Sequence, residues 1–332
     1  MKEIKLTYNE ALASPCAECK PSICCYFLQV DALTTQKLTD LDKIKFYLNF
    51  PNIEICLTEA WEWIVYYNYP CRFYDEKESI CRIHDSEQQP GVCVHYNPYN
   101  CYYKRMKQTR DSLSQPMIWI NRERLDILTS HISFDDHRII SEIPGTGKLY
   151  ELMAEIPYQV PGQKEPPNQD KPIASDEVVI KSHLAFRNPC RDCDAFCCRN
   201  LLFPQDKPST YSSLDFLRYT LSFPGIELGI SDAQWVVIAR TTCRHCEDNQ
   251  CSVYETDERP LVCKYYNPLK CVHKSYFGKE KPDGFMRVGY EEFDRLMETF
   301  KFNEEGDIIE SYDVKSLRER WIAQAPASSP SS

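Results

Sequence analysis

The chain has 332 residues, 39 Lys+Arg against 49 Asp+Glu, a formal charge of −10, and 18 cysteines. Without a block of basic charge, a surface that tracks nucleic-acid phosphates is excluded as its main business, and no apolar run approaches the length of a membrane span. The opening MKEIKLTYNEALASPC lacks the apolar stretch of a secretory signal. The expected compartment is therefore the reducing cytosol, where a disulfide framework would not persist and cysteines need another explanation.

In chain order, the first cysteines read Cys16-x2-Cys19-x4-Cys24-Cys25. A helix is expected on the stripe Leu38, Leu41, Ile44, Tyr47 and Leu48, with Asp31 as its N-cap. A hairpin follows: Ile53, Ile55 and Leu57 alternate, Thr58-Glu59-Ala60 turns, and Trp61 to Tyr67 returns, placing Trp63 in the core. Cys71 and then Cys81-x11-Cys93-x7-Cys101 lie in loops punctuated by Tyr96-Asn97-Pro98. A helix near 121–131, a short strand and a last helix containing Leu149, Leu152 and Met153 close a first unit, residues 1–157. The stretch 158–175, rich in Pro, Gln and charge, reads as a linker.

The same order then recurs in a second unit, residues 176–325. Cys190-x2-Cys193-x3-Cys197-Cys198 precedes a helix on Leu214, Leu217 and Leu221 behind Ser209. A hairpin uses Ile226, Leu228 and Ile230, the turn Ser231-Asp232-Ala233 and the return Trp235 to Ile238. Next come Cys243 and Cys251-x11-Cys263-x7-Cys271, a helix near 290–299 and a last helix with Leu317 and Trp321. Between Cys81–Cys101 and Cys251–Cys271, 8 of 21 positions are identical. Residues 326–332 read as a disordered tail. The expected class is α+β: small, cysteine-rich, metal-stapled domains in tandem duplication.

A Cys-x2-Cys turn brings two sulfurs to one centre, and soft thiolates select Zn²⁺ or an iron–sulfur cluster. The first unit offers Cys16, Cys19, Cys24, Cys25, Cys71, Cys81, Cys93 and Cys101; the second offers Cys190, Cys193, Cys197, Cys198, Cys243, Cys251, Cys263 and Cys271. Eight thiolates suit two four-thiolate centres per unit. Adjacent side chains diverge, so each Cys-Cys pair is expected to serve two neighbouring centres. Zn²⁺ is the first choice and iron or an iron–sulfur cluster the alternative; the spacing does not match the bacterial ferredoxin run. Cys56 and Cys246 fall outside the shared set and are expected to be ordinary buried or loop thiols. His84, His95, His245 and His273 lie near cysteines, but their counterparts are Tyr254, Tyr265, Phe73 and Tyr103, so they are expected to be structural. No phosphate-binding glycine loop, nucleophile elbow or Ser/His/Asp set can be nominated, so no catalytic residue is assigned.

At Cys251-x-Val253-Tyr254-x4-Arg259-Pro260-x2-Cys263, together with Cys190-x2-Cys193-x3-Cys197-Cys198, the sequence resembles the YkgJ-type cysteine-cluster family. That resemblance implies zinc or iron chelation. The first copy departs from it, with His84 for the Tyr and Gln88-Gln89-Pro90 for Glu258-Arg259-Pro260, which makes its site electrostatically different. Arg259 is expected to cap nearby carboxylates or sulfur. A related cysteine cluster in flagellin lysine methylases accompanies an iron–sulfur centre, although nothing outside the cysteines here resembles such an enzyme. Three functions follow as expectations. The first is a metal-stapled protein that presents a surface to a protein partner. The second is an iron–sulfur protein with redox or methyltransferase-like activity. The third is a metal storage or transfer protein. None of them involves a nucleic acid or a membrane.

Overall fold

A computed structural model of the protein describes residues 22–95, 117–158, 195–266, 273, 285–310 and 312–324. Two four-stranded antiparallel sheets carry the architecture. The first contains β1 (Phe27–Thr34), β2 (Ile53–Thr58), β3 (Glu62–Asn68) and β6 (Met117–Ile120) in the order β1-β3-β2-β6. The second contains β9 (Asn200–Gln205), β10 (Ile226–Ser231), β11 (Trp235–Arg240) and β14 (Phe285–Val288) in the matching order β9-β11-β10-β14. The central hairpins are those read from alternation: Leu57 pairs with Trp63 in one and Ile230 with Trp235 in the other. The outer strands were not legible, because β6 and β14 are short apolar runs without a period of their own. Alternation understated the burial too. Ile53, Ile55, Leu57, Trp63 and Val65 face the main core, while Cys56, Ile64 and Tyr66 are buried on the other face with Ile23, Phe27 and Trp119.

Helices α1 (Leu38–Tyr47) and α6 (Tyr211–Leu221) form where the apolar stripes lie. Their caps differ from expectation. Asp31 belongs to β1, where its carboxylate accepts from the Tyr47 hydroxyl at 3.3 Å. The first turn of α1 is closed instead by Asp40, which accepts from Gln36 N and Lys37 N at 2.9 and 3.1 Å. In the second unit the cap is Thr210, one residue past Ser209, and its hydroxyl accepts from Ser213 N at 3.1 Å. Helices α3 (Arg122–Ser130), α4 (Thr146–Ala154), α8 (Tyr290–Met297) and α9 (Val314–Gln324) stand where expected. The short strands between them are the β7–β8 ladder (Ser133–Phe134, Ile140–Glu142) and a bridge from Phe302 to Ile308.

The two units share one continuous apolar core in which Tyr47 meets Phe203 at 5.6 Å between ring centroids. Their backbones also exchange equivalent contacts. Arg72 N donates to Ser222 O at 2.9 Å, and the corresponding Arg244 N donates to Asn49 O at 2.8 Å. The Tyr67 hydroxyl reaches Pro224 O at 2.8 Å. Gly225 must be glycine here: its φ is +87° and a Cβ would run into the Tyr67 hydroxyl. Residues 159–175 of the expected linker and the tail lie outside the described residues; Tyr158 packs into the fold, donating to Glu54 at 2.9 Å. Among the described residues no helix is long and apolar enough to cross a membrane.

Candidate metal centres

Each cysteine set is assembled by the same local devices. In the first unit a single helical turn, Ile23–Cys25, leads into β1. The chain leaving β3 returns to it, with Tyr69 N on Tyr26 O at 2.9 Å and Cys71 N on Cys25 O at 2.7 Å. A turn from Cys71 starts β4 (Tyr74–Asp75), which pairs with β5 (Ile80–Cys81) and sets Tyr74 opposite Cys81. Pro90 then opens the short helix α2 (Gly91–Val94), which carries Cys93.

The second unit repeats this. After α5 (Phe196–Arg199), Thr241 N lies on Arg199 O at 3.1 Å and Cys243 N on Cys198 O at 2.7 Å. The turn from Cys243 starts β12 (Cys246–Glu247), paired with β13 (Gln250–Cys251) so that Cys246 faces Cys251. Pro260 opens α7 (Leu261–Lys264), which carries Cys263.

The sulfurs of each set act on one another. In the first unit the Cys24 and Cys25 thiols are hydrogen-bonded, which lowers the pKa of Cys24 and raises that of Cys25. Burial raises Cys71 and Cys81, and the neighbouring sulfur charges add to it. Cys93 is open to solvent on one side, yet desolvation on the other raises it, followed by the charges of Cys24, Cys71, Cys81 and Asp215. In the second unit Cys197 is lowered by its hydrogen bond with Cys198 and Cys198 is raised by the same bond. Burial pushes Cys243 up to about 11, with Cys251 and Cys246 adding to the shift. Burial also raises Cys263, ahead of the charges of Cys197, Cys243 and Cys251. The thiols of each set thus shift one another's pKa through their charges and hydrogen bonds.

Of the residues expected as ligands, Cys24, Cys25, Cys71, Cys81 and Cys93 are brought together in one unit, and Cys197, Cys198, Cys243, Cys251 and Cys263 in the other. Cys16, Cys19, Cys101, Cys190, Cys193 and Cys271 lie outside the described residues. Among the described residues no group of three or more His, Cys, Asp or Glu side chains is arranged to hold a metal ion, and each described cysteine is a free thiol.

Cys246 is the residue that sequence reasoning missed. It does not stand apart: its thiol is hydrogen-bonded to that of Cys198, which with the Arg199 guanidinium lowers its pKa to about 6 against the opposing effect of burial. The spacing Cys243-x2-Cys246 was the available signal, hidden because the first unit has Tyr74 at that place. Cys56 is fully buried under the sheet, as expected of a core thiol.

Arg259 donates to carbonyl oxygens rather than to carboxylates, reaching Tyr254 O at 3.3 Å and Cys263 O at 2.7 Å. Two of these histidines, His84 and His273, have side-chain partners in the protein. His84 is exposed and pairs with Asp85 at 2.9 Å. His273 places Nε2 3.2 Å from Asn200 O and Nδ1 3.4 Å from the Tyr266 hydroxyl, and burial takes its pKa down to about 4.

Compared with known proteins, the chain matches no family model, no curated protein and no solved structure.

Proposed function

We propose that this chain is a metal-binding protein built from two tandem copies of a YkgJ-type cysteine-cluster unit. Zn²⁺ is the first choice of metal, held by the sixteen shared cysteines as four-thiolate centres. The observation that carries this reading is the equivalence of the two thiol sets. Among the described residues counterpart cysteines occupy counterpart places, and in both units the turn that bears them is tied by the same 2.7 Å bond, Cys71 N to Cys25 O and Cys243 N to Cys198 O. Two sheets with the same strand order support descent from one duplicated unit.

The metal's contribution is to hold loops with little core of their own. Strands β4, β5, β12 and β13 have two residues each, and α2 and α7 have four. Elements this short do not persist without tertiary or metal restraint. The loops so held would form the surface offered to a protein partner.

Anaerobic purification followed by elemental analysis and an absorption spectrum tests the reading. A colourless protein with about two zinc ions per unit is the expected result. A brown protein with thiolate-to-iron absorption moves the assignment to an iron–sulfur centre, and rapid loss of zinc to a weak chelator moves it to storage or transfer. Protein that is fully reduced and folded yet free of transition metal overturns it.

A further inference from the structure

The second unit carries a thiol where strict equivalence calls for none. Cys246 stands at the place of Tyr74, each opposite the last residue of its short ladder, Cys251 or Cys81. That place sets the Cys246 side chain beside other cysteines. Asp248 and Asn249 both have positive φ, 48° and 62°, and link Glu247 to Gln250 as a two-residue hairpin turn of the kind that fixes register. Directly opposed residues of an antiparallel ladder project to the same face, with Cβ atoms about 5 Å apart. Cys246 N closes on Cys243 O at 2.9 Å, so the Cys-x2-Cys turn is formed, and the Cys246 thiol is hydrogen-bonded to Cys198.

The charge around it is matched as well. Arg199 sits beside Cys246 and Arg259 near Cys197 and Cys263. Their places in the first unit are taken by the uncharged Tyr26 and Gln89. An added thiolate brings one more negative charge, and a nearby guanidinium is the group that offsets it.

We propose, resting on the metal-binding reading above, that Cys246 is a further thiolate ligand of the second unit, so that the two units hold non-equivalent centres. The second is the more thiolate-rich and takes a thiophilic divalent ion with the higher affinity.

The test uses the full chain, stripped of metal under reducing conditions and titrated with Co²⁺, whose charge-transfer absorption reports bonds to sulfur. Cys246→Ser is expected to lower that absorption and to speed release of the tighter-bound cobalt to a chelator by about 10-fold or more. Tyr74→Phe is expected to change neither. A folded Cys246→Ser protein with the absorption and release rate of the parent overturns the proposal. Independently of any variant, iodoacetamide on the parent protein should spare Cys246 when Zn²⁺ is bound and modify it once Zn²⁺ is removed; equal modification in both states overturns the proposal. A parent protein that takes up neither Co²⁺ nor Zn²⁺ overturns the metal-binding reading along with it, which separates the two failures.

Discussion

Arg259 lies over the ring of Tyr254, 3.8 Å from guanidinium carbon to ring centroid, while its donors hold the carbonyls of Tyr254 and Cys263. One side chain thus ties both ends of the loop that ends on a proposed ligand. In the first unit Gln89 takes its place and accepts from Asp85 N at 2.7 Å, closing a smaller turn that does not reach Cys93. Arg259→Gln is expected to cost about 1–2 kcal/mol, the combined scale of a partly exposed cation–π contact and two hydrogen bonds. Urea denaturation would read the loss, and hydrogen exchange should quicken at Cys263–Tyr265. An unchanged midpoint with unchanged exchange would remove Arg259 from this role. The motif was legible at this scale because its residues lie within a dozen positions of one another. The atoms that Arg259 contacts were not, since spacing does not say whether a guanidinium meets a carbonyl, a carboxylate or a sulfur.

At the scale of elements, the short helices that carry Cys93 and Cys263 are capped by the opposite unit. Gly91 N, at the start of α2, donates to Asp215 of α6, and Val262 N, in the first turn of α7, donates to Asp42 of α1 at 3.2 Å. A carboxylate at a helix N-terminus satisfies an orphan N–H and complements the helix dipole, which matters most for a four-residue helix. The arrangement is reciprocal: each unit's long helix seats the other unit's cysteine helix. Asp42→Ala should cost about 1 kcal/mol, the value of a helix cap, and should quicken exchange at 261–265 in the second unit rather than at 91–95. Asp215→Ala should show the mirror pattern at a larger cost, about 3 kcal/mol, because it also takes the nearer of two carboxylates from the buried Arg218, leaving Asp294 at 3.4 Å. Exchange that rises only within the mutated unit would sink the idea of reciprocal seating. Leu41-Asp42 and Leu214-Asp215 already stood out in the sequence as a repeated pair. Their partners lie 220 and 124 residues away, beyond the reach of any local pattern.

For the whole molecule, the shared core and the exchanged backbone contacts make the two units one folding body. Thermal unfolding should therefore give a single transition with equal calorimetric and van't Hoff enthalpies. Two resolved transitions would show that each unit holds its own core, and the cross-unit contacts at Arg72–Ser222 and Arg244–Asn49 would then carry little stability.

Sequence alone determined the α+β class, both central hairpins, the six longer helices and the cysteine spacing, because each is written in a local period or a fixed interval. Tertiary structure decided the rest. It buried both faces of β2 and β3 where alternation showed one, moved Asp31 from a cap into a strand, and joined Cys246 to a thiol set from which pairwise comparison of the copies had excluded it. The reason is common to all three. Burial, capping and clustering depend on which surfaces meet in space, and here the surfaces that meet belong to segments far apart along the chain.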